Sequence, residues 1–235
     1  MGTSKDYAGQ TGGGWTRTKR IASRISREGP RRELIRDYGE AIVGALGGAA
    51  AAAESAAAAR RVGAAFSGFL GDVGRAGLET ALGDLGMAEA VGRPTTELVA
   101  MLLERLSGSG DTLEEVAARQ ALLDCLEELV GDSATYAVLA DMTVTEAEIA
   151  AWIALFVGRS VYYRTLPLLE SRLNEATATD RNAAEAELRD WAEAAAAAAL
   201  RDVPLAGLDP GGADIAQMVA DLVQRAYAIF GGAES

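Results

Sequence analysis

Thr145-Glu-Ala-Glu-Ile-Ala-Ala-Trp-Ile-Ala-Leu-Phe-Val-Gly-Arg-Ser-Val-Tyr-Tyr-Arg-Thr-Leu-Pro167 is the stretch that decides the fold. It opens with a hydroxyl at Thr145 and a carboxylate three residues on at Glu148, the pattern of a capping box. Behind it Ile149, Trp152, Ile153, Phe156, Val157, Tyr163 and Leu166 recur at helical spacing. The spacing predicts the longest helix of the chain, kinked or ended at Pro167, where the ring removes a backbone donor. On that face Trp152 and Tyr162-Tyr163-Arg164 read as core.

The same signs recur on both sides of this segment. Thr112-Leu-Glu-Glu115 repeats the capping box ahead of Val116, Leu122, Leu123, Leu126, Leu129 and Val130. Thr95-Thr96-Glu97 opens a helix bearing Leu98, Val99, Leu102, Leu103 and Leu106, closed by Ser107-Gly108-Ser109-Gly110. Arg31 to Leu46 reads as helix, and Gly47-Gly48 breaks it. Ala49 to Ala59 is almost pure alanine, a strong helix former that should continue through Arg60-Arg61 toward Phe66, Phe69 and Leu70. Thr179-Asp180 precedes a further helix to about Val203, and Ile215 to Phe230 form the last. No strand pattern is present. The expectation is an all-α multi-helix bundle of six to eight helices.

Composition narrows the chemistry. The chain has 235 residues, 49% of them hydrophobic and only 6% aromatic, with no histidine. Lacking histidine, it has no common general base, no imidazole zinc ligand and no Ser-His or Cys-His pair. Acidic residues are spread at helical spacing, as on solvated helix faces, and form no convergent cluster. The expectation is a protein that is not an enzyme, with no catalytic residue, no metal and no cofactor. The single cysteine, Cys125, fits a reducing cytoplasm and reads as a packed thiol. There is neither a long uncharged apolar run nor the apolar core of a secretory signal, so a cytoplasmic protein with no membrane partner is expected.

Charge divides the chain. Residues 1–36 carry nine Lys or Arg against three Asp or Glu, a net of +6, and the total of −12 leaves −18 for the rest. Five glycines between positions 2 and 14 make ordering costly. Residues 1–30 are therefore expected to be a flexible, Gly-rich, basic arm, and residues 31–235 the helical domain, with Ile21 and Ile25 able to face one way on a short helix. Gly9 to Gly14 is not a phosphate loop, for it has no preceding strand and no following Gly-Lys-Ser/Thr. Asp6 stands where a myristoylation signal requires Ser or Thr. Trp15 is the aromatic anchor of the arm, for a groove either on a partner or on its own body. Arg17, Lys19, Arg20 and Arg24 are the candidate basic contacts, for an acidic protein or for nucleic acid. A self-assembling homo-oligomer is a further reading.

Three stretches resemble the QatB family of Qat anti-phage defence systems: Met1-Gly2-Thr3-Ser4 with the glycine-rich segment and Trp15-Thr16; Gly68-Phe69-Leu70 through Val73, Gly77-Leu78-Glu79 and Ala81-Leu82 to Val91-Gly92-Arg93-Pro94; and the acidic helix after Asp111-Thr112-Leu113-Glu114-Glu115 with Ala121-Leu122. The resemblance implies a non-enzymatic defence component and adaptor that acts beside a P-loop ATPase, a QueC-like enzyme and a TatD-like nuclease. It also implies that the QueC-like partner attaches a deazaguanine-type group to the amine of Gly2 after methionine removal. Thr3, Ser4 and Tyr7, with Trp15, would be recognised by partners. An α-amino group titrates near pH 8, so an unprotonated fraction is available for such chemistry.

Overall fold

The computed structural model describes residues 12–108, 110–131, 135–173, 176–201, 203 and 213–233. Among them every regular element is a helix, and no strand occurs. A hairpin of α1 (Gly13–Glu28) and α2 (Arg32–Ala45) comes first. Then follow α3 (Ala49–Glu54), α4 (Ala57–Ala76), α5 (Leu78–Asp84), a 3-10 turn (Ala88–Ala90), α6 (Thr95–Ser107), α7 (Leu113–Val130), α8 (Tyr136–Ala140), α9 (Glu146–Glu170), α10 (Ala178–Leu200) and α11 (Ala213–Phe230).

Helix α9 is the axle of the bundle. It packs on α10, α7, α4 and α11, while α11 also lies against α10, α3 and α4. A helix with one apolar stripe covers a core, whereas one that is apolar or small on every side belongs inside it. The second case holds here, because Ile153, Phe156, Val157, Val161, Leu168 and Leu169 are all buried and point in different directions around the helix. Gly158 lets α10 come close. A Cβ there would stand 2.7 Å from Glu193 Cα and 3.1 Å from the Ala192 carbonyl.

Both capping boxes form as the sequence indicates. The Glu115 and Glu148 amides donate to the Thr112 and Thr145 hydroxyls at 3.2 and 3.3 Å, and the two carboxylates bond back to the threonine amides. These backbone bonds come first, and the threonine hydroxyls second, in holding both carboxyls below the usual range. Tyr162 is buried, and Trp152 and Tyr163 are half-buried against the core.

Several expectations need correction. The polyalanine run is two helices, for α3 stops at Glu54 and α4 starts at Ala57. Alanine propensity cannot mark that break, because long-range capping stabilises it: the Arg164 guanidinium donates to the Ala52 carbonyl at 2.8 Å, and the Ala58 amide donates to Glu114 Oε1 at 2.8 Å. Pro167 does not end α9, which runs on to Glu170 because buried Leu168 and Leu169 hold the last turn in the core. The cap of α10 is Thr177, two residues before the expected Thr179, and its hydroxyl accepts from the Asp180 amide at 3.1 Å. The helix count exceeds eight because α3, α5 and α8, of six, seven and five residues, are too short for periodicity to reveal. The flexible arm expected through residue 30 is not found from Gly13 to Glu28, where the chain is helix α1.

Candidate functional site

The sequence reading put the site at the N-terminus, and α1 is the part of it that the structure describes. Gly2, Thr3, Ser4 and Tyr7 lie outside the described residues. The chain enters at exposed Gly12 and turns at once into α1, whose Trp15, Thr18, Ile21, Ala22 and Ile25 recur every three or four residues and are buried. Trp15 retains only 9% of its surface. It packs into the hydrophobic core of its own chain. Gly14 permits the approach to α2, since a Cβ there would meet Ala45 Cα at 3.1 Å. At the far end the Gly29 amide donates to the Ile25 carbonyl at 3.1 Å, with Gly29 at φ +81°, and the chain reverses into α2. Tyr38 of α2 then fastens the hairpin by donating to the Thr165 carbonyl of α9 at 2.7 Å.

Packing the apolar face inward turns the arginines outward. Arg17 pairs with Glu40 of α2 at 3.2 Å, and Arg24 pairs with Glu28 at 3.1 Å. Arg20 is exposed and forms no ion pair among the described residues, and Lys19 is half-buried. Two of the four candidate basic contacts are therefore already opposed by carboxylates, which weakens the field that they present to a polyanion. These are surface pairs, each contributing little to stability.

Sequence reasoning placed Tyr162, Tyr163 and Arg164 in the core but missed Arg159 and the polar network that they form in the middle of the bundle. Arg159 keeps only 7% of its surface, yet it lies between Glu128 of α7 and Glu193 of α10, with Nε 3.3 Å from Glu193. Arg164 is buried too, and besides Ala52 it donates to the Tyr227 hydroxyl at 3.0 Å and the Ser55 hydroxyl at 2.7 Å. Beside them Tyr163 donates to Asp124 at 2.5 Å, and Arg189 lies over the rings of Tyr162 and Tyr163. Burial first, then the Asp124 carboxylate, raises the Tyr163 pKa well above the ordinary phenol range. The readable signal was two arginines five residues apart inside an otherwise apolar helix, which must find partners where they are buried. The cluster clamps α7, α9, α10 and α3 together.

Cys125 is buried, with Arg159 Nη1 3.8 Å from its sulfur. Burial pushes its thiol up to about 12 in spite of that arginine, so it is protonated and inert at neutral pH. Among the described residues no three His, Cys, Asp or Glu are grouped as a metal site, and no helix is long and apolar enough to cross a membrane.

A protein-family model described as Qat anti-phage system associated protein QatB matches residues 47–230. The chain belongs to the QatB family. It is accordingly a component of a Qat anti-phage system, a family associated with the other components of that system. No curated protein and no solved structure matches it. The matched span runs from the glycines before α3 to the last residue of α11, so the α1–α2 hairpin lies ahead of the QatB match.

Proposed function

We propose that this QatB-family chain acts without catalysis of its own, as an adaptor of the Qat system and as the acceptor of a deazaguanine-type group on the Gly2 amine. A QueC-like enzyme supplies the group, and the helical body docks on the P-loop ATPase of the same system, with a TatD-like nuclease as the further component. The observation that supports this reading is the anchoring of α1. With Trp15, Ile21 and Ile25 buried, the helix fixes the root of the leading segment at exposed Gly12, at the surface of the bundle. Glycine suits the acceptor role, because its amine carries no side-chain obstruction.

The test is reconstitution with the QueC-like enzyme and its activated deazapurine substrate, followed by intact mass of the chain. The reading predicts a single added group on the wild type and none on Gly2→Pro, whose terminal nitrogen is a hindered secondary amine. A wild-type chain that stays at its unmodified mass while the enzyme modifies a glycine-led control peptide refutes it. The competing reading, nucleic-acid binding through Arg17, Lys19, Arg20 and Arg24, predicts affinity that falls steeply with salt and is lost when the four are neutralised.

A further inference from the structure

A groove of about 250 Å³ separates the start of α2 from the middle of α10, and the QatB likeness does not account for it. Its floor is buried Ile35 and the half-buried indole of Trp191, whose Nε1 donates to the Phe230 carbonyl at 3.2 Å and so holds the ring in place. Arg36 places its guanidinium carbon over that indole, 4.9 Å from its centre, and forms no ion pair among the described residues. Exposed Arg32 reaches half-buried Glu187 at 3.6 Å, a loose pair. Asp190 stands on the same wall, exposed and without an ion-pair or hydrogen-bond partner among the described residues.

The requirements of an occupant follow from these groups. It must be planar, to replace or stack on the Arg36 guanidinium over the indole. It must donate two adjacent hydrogen bonds, because a carboxylate accepts bidentately. It must also accept one, to satisfy Arg32 or Arg36. A guanine-type ring has all three properties on one edge: a ring N–H and an exocyclic amine beside a carbonyl. Adenine has the amine but neither the adjacent N–H nor the carbonyl.

We propose that this groove binds a guanine-type heterocycle, stacked on Trp191 with its amine edge on Glu187 or Asp190. A free nucleoside and the group carried by Gly2 share that chemistry, and delivery by the chain's own tip rests on the Gly2 reading above. The reach is sufficient. Ten residues separate Gly2 from Gly12, about 33–36 Å when extended. From Ala45, beside Gly14, back to Arg36 is nine residues of helix, about 14 Å.

Calorimetric titration of the unmodified full chain with guanosine, inosine and adenosine tests the groove. Guanosine should bind best, inosine (which lacks the exocyclic amine) more weakly, and adenosine least. Glu187→Gln combined with Asp190→Asn, both at surface positions that leave the core intact, should weaken guanosine by about tenfold. Trp191→Phe should weaken it by less and Trp191→Ala by about tenfold or more. Equal affinity for the three nucleosides, no heat of binding at millimolar guanosine, or guanosine binding indifferent to the carboxylate changes overturns the proposal. Repeating the titration on chain whose added mass has been verified separates the sources. Loss of guanosine binding there means that the tip fills the groove, and unchanged binding means that the occupant is a free nucleoside. A chain that never gains mass but binds guanosine selectively refutes the Gly2 reading and leaves the groove standing.

Discussion

Replacing Arg164 by methionine tests the packing argument at its least replaceable point. The side chain keeps 8% of its surface and among the described residues donates to the Ala52 carbonyl, the Ser55 hydroxyl and the Tyr227 hydroxyl, at 2.8, 2.7 and 3.0 Å. Bonds from a charged donor contribute about 1.5–3 kcal/mol each. Methionine fills most of the volume and relieves the burial of the cation, so the net loss is smaller than their sum. From these three bonds a loss of about 2–3 kcal/mol follows. For a chain of this size that lowers Tm by about 4–12 °C. Urea unfolding should show the midpoint moved with the slope unchanged. Hydrogen exchange should rise first around residues 52–55, where α3 loses the cap on its last turn. A variant within about 0.5 kcal/mol of wild type would show that Arg164 does not hold the α3–α4 break together.

Gly158→Ala puts a methyl group against the backbone of α10, 2.7 Å from Glu193 Cα, and backbone cannot step aside as a side chain can. It should cost about 1–3 kcal/mol or more by chemical denaturation, and an unchanged midpoint would mean that the two helices are not in contact there. Cys125 has its thiol pKa raised to about 12 by burial, so the folded state prefers the protonated form. Its contribution is complete below the unfolded thiol pKa of about 8.5 and is lost as pH rises from there toward 12. Cys125→Ala should therefore flatten the fall of stability in that window, and in the wild type at pH 8 a disulfide reagent should react only after denaturant is added. Trp15→Ala should free α1 while the main unfolding transition persists. Trypsin should then cut after Arg17, Arg20 and Arg24 at least tenfold faster, and an unchanged rate would show that Trp15 is not the anchor.

Much of the fold was legible because its signals are local. The hydroxyl and carboxylate pairs at Thr112/Glu115 and Thr145/Glu148 mark two helix starts, and the stripe from Ile215 to Phe230 marks the last helix. What sequence reading lost depends on distant contacts. The break after Glu54 is made by Arg164 and Glu114, more than fifty residues away, and nothing in a run of alanines announces them. The N-terminal reading erred for a related reason. Its glycines stop at Gly14, and the basic residues that follow conceal Trp15, Ile21 and Ile25 on one face. The resulting amphipathic helix gains its stability from packing on α2, a gain that composition does not register. The residues of the expected acceptor tip, Gly2, Thr3 and Ser4, lie ahead of the described chain. The groove at Trp191 joins two helices about 150 residues apart in sequence, a separation that no local pattern spans.

The most direct trial of the account is peptide mapping of this chain purified from cells that carry a complete and active Qat system. The account predicts that the first tryptic peptide, ending at Lys5, begins at Gly2 and carries one deazaguanine-type group on its amine. A Gly2 amine found unmodified while the system still protects the cells would contradict it.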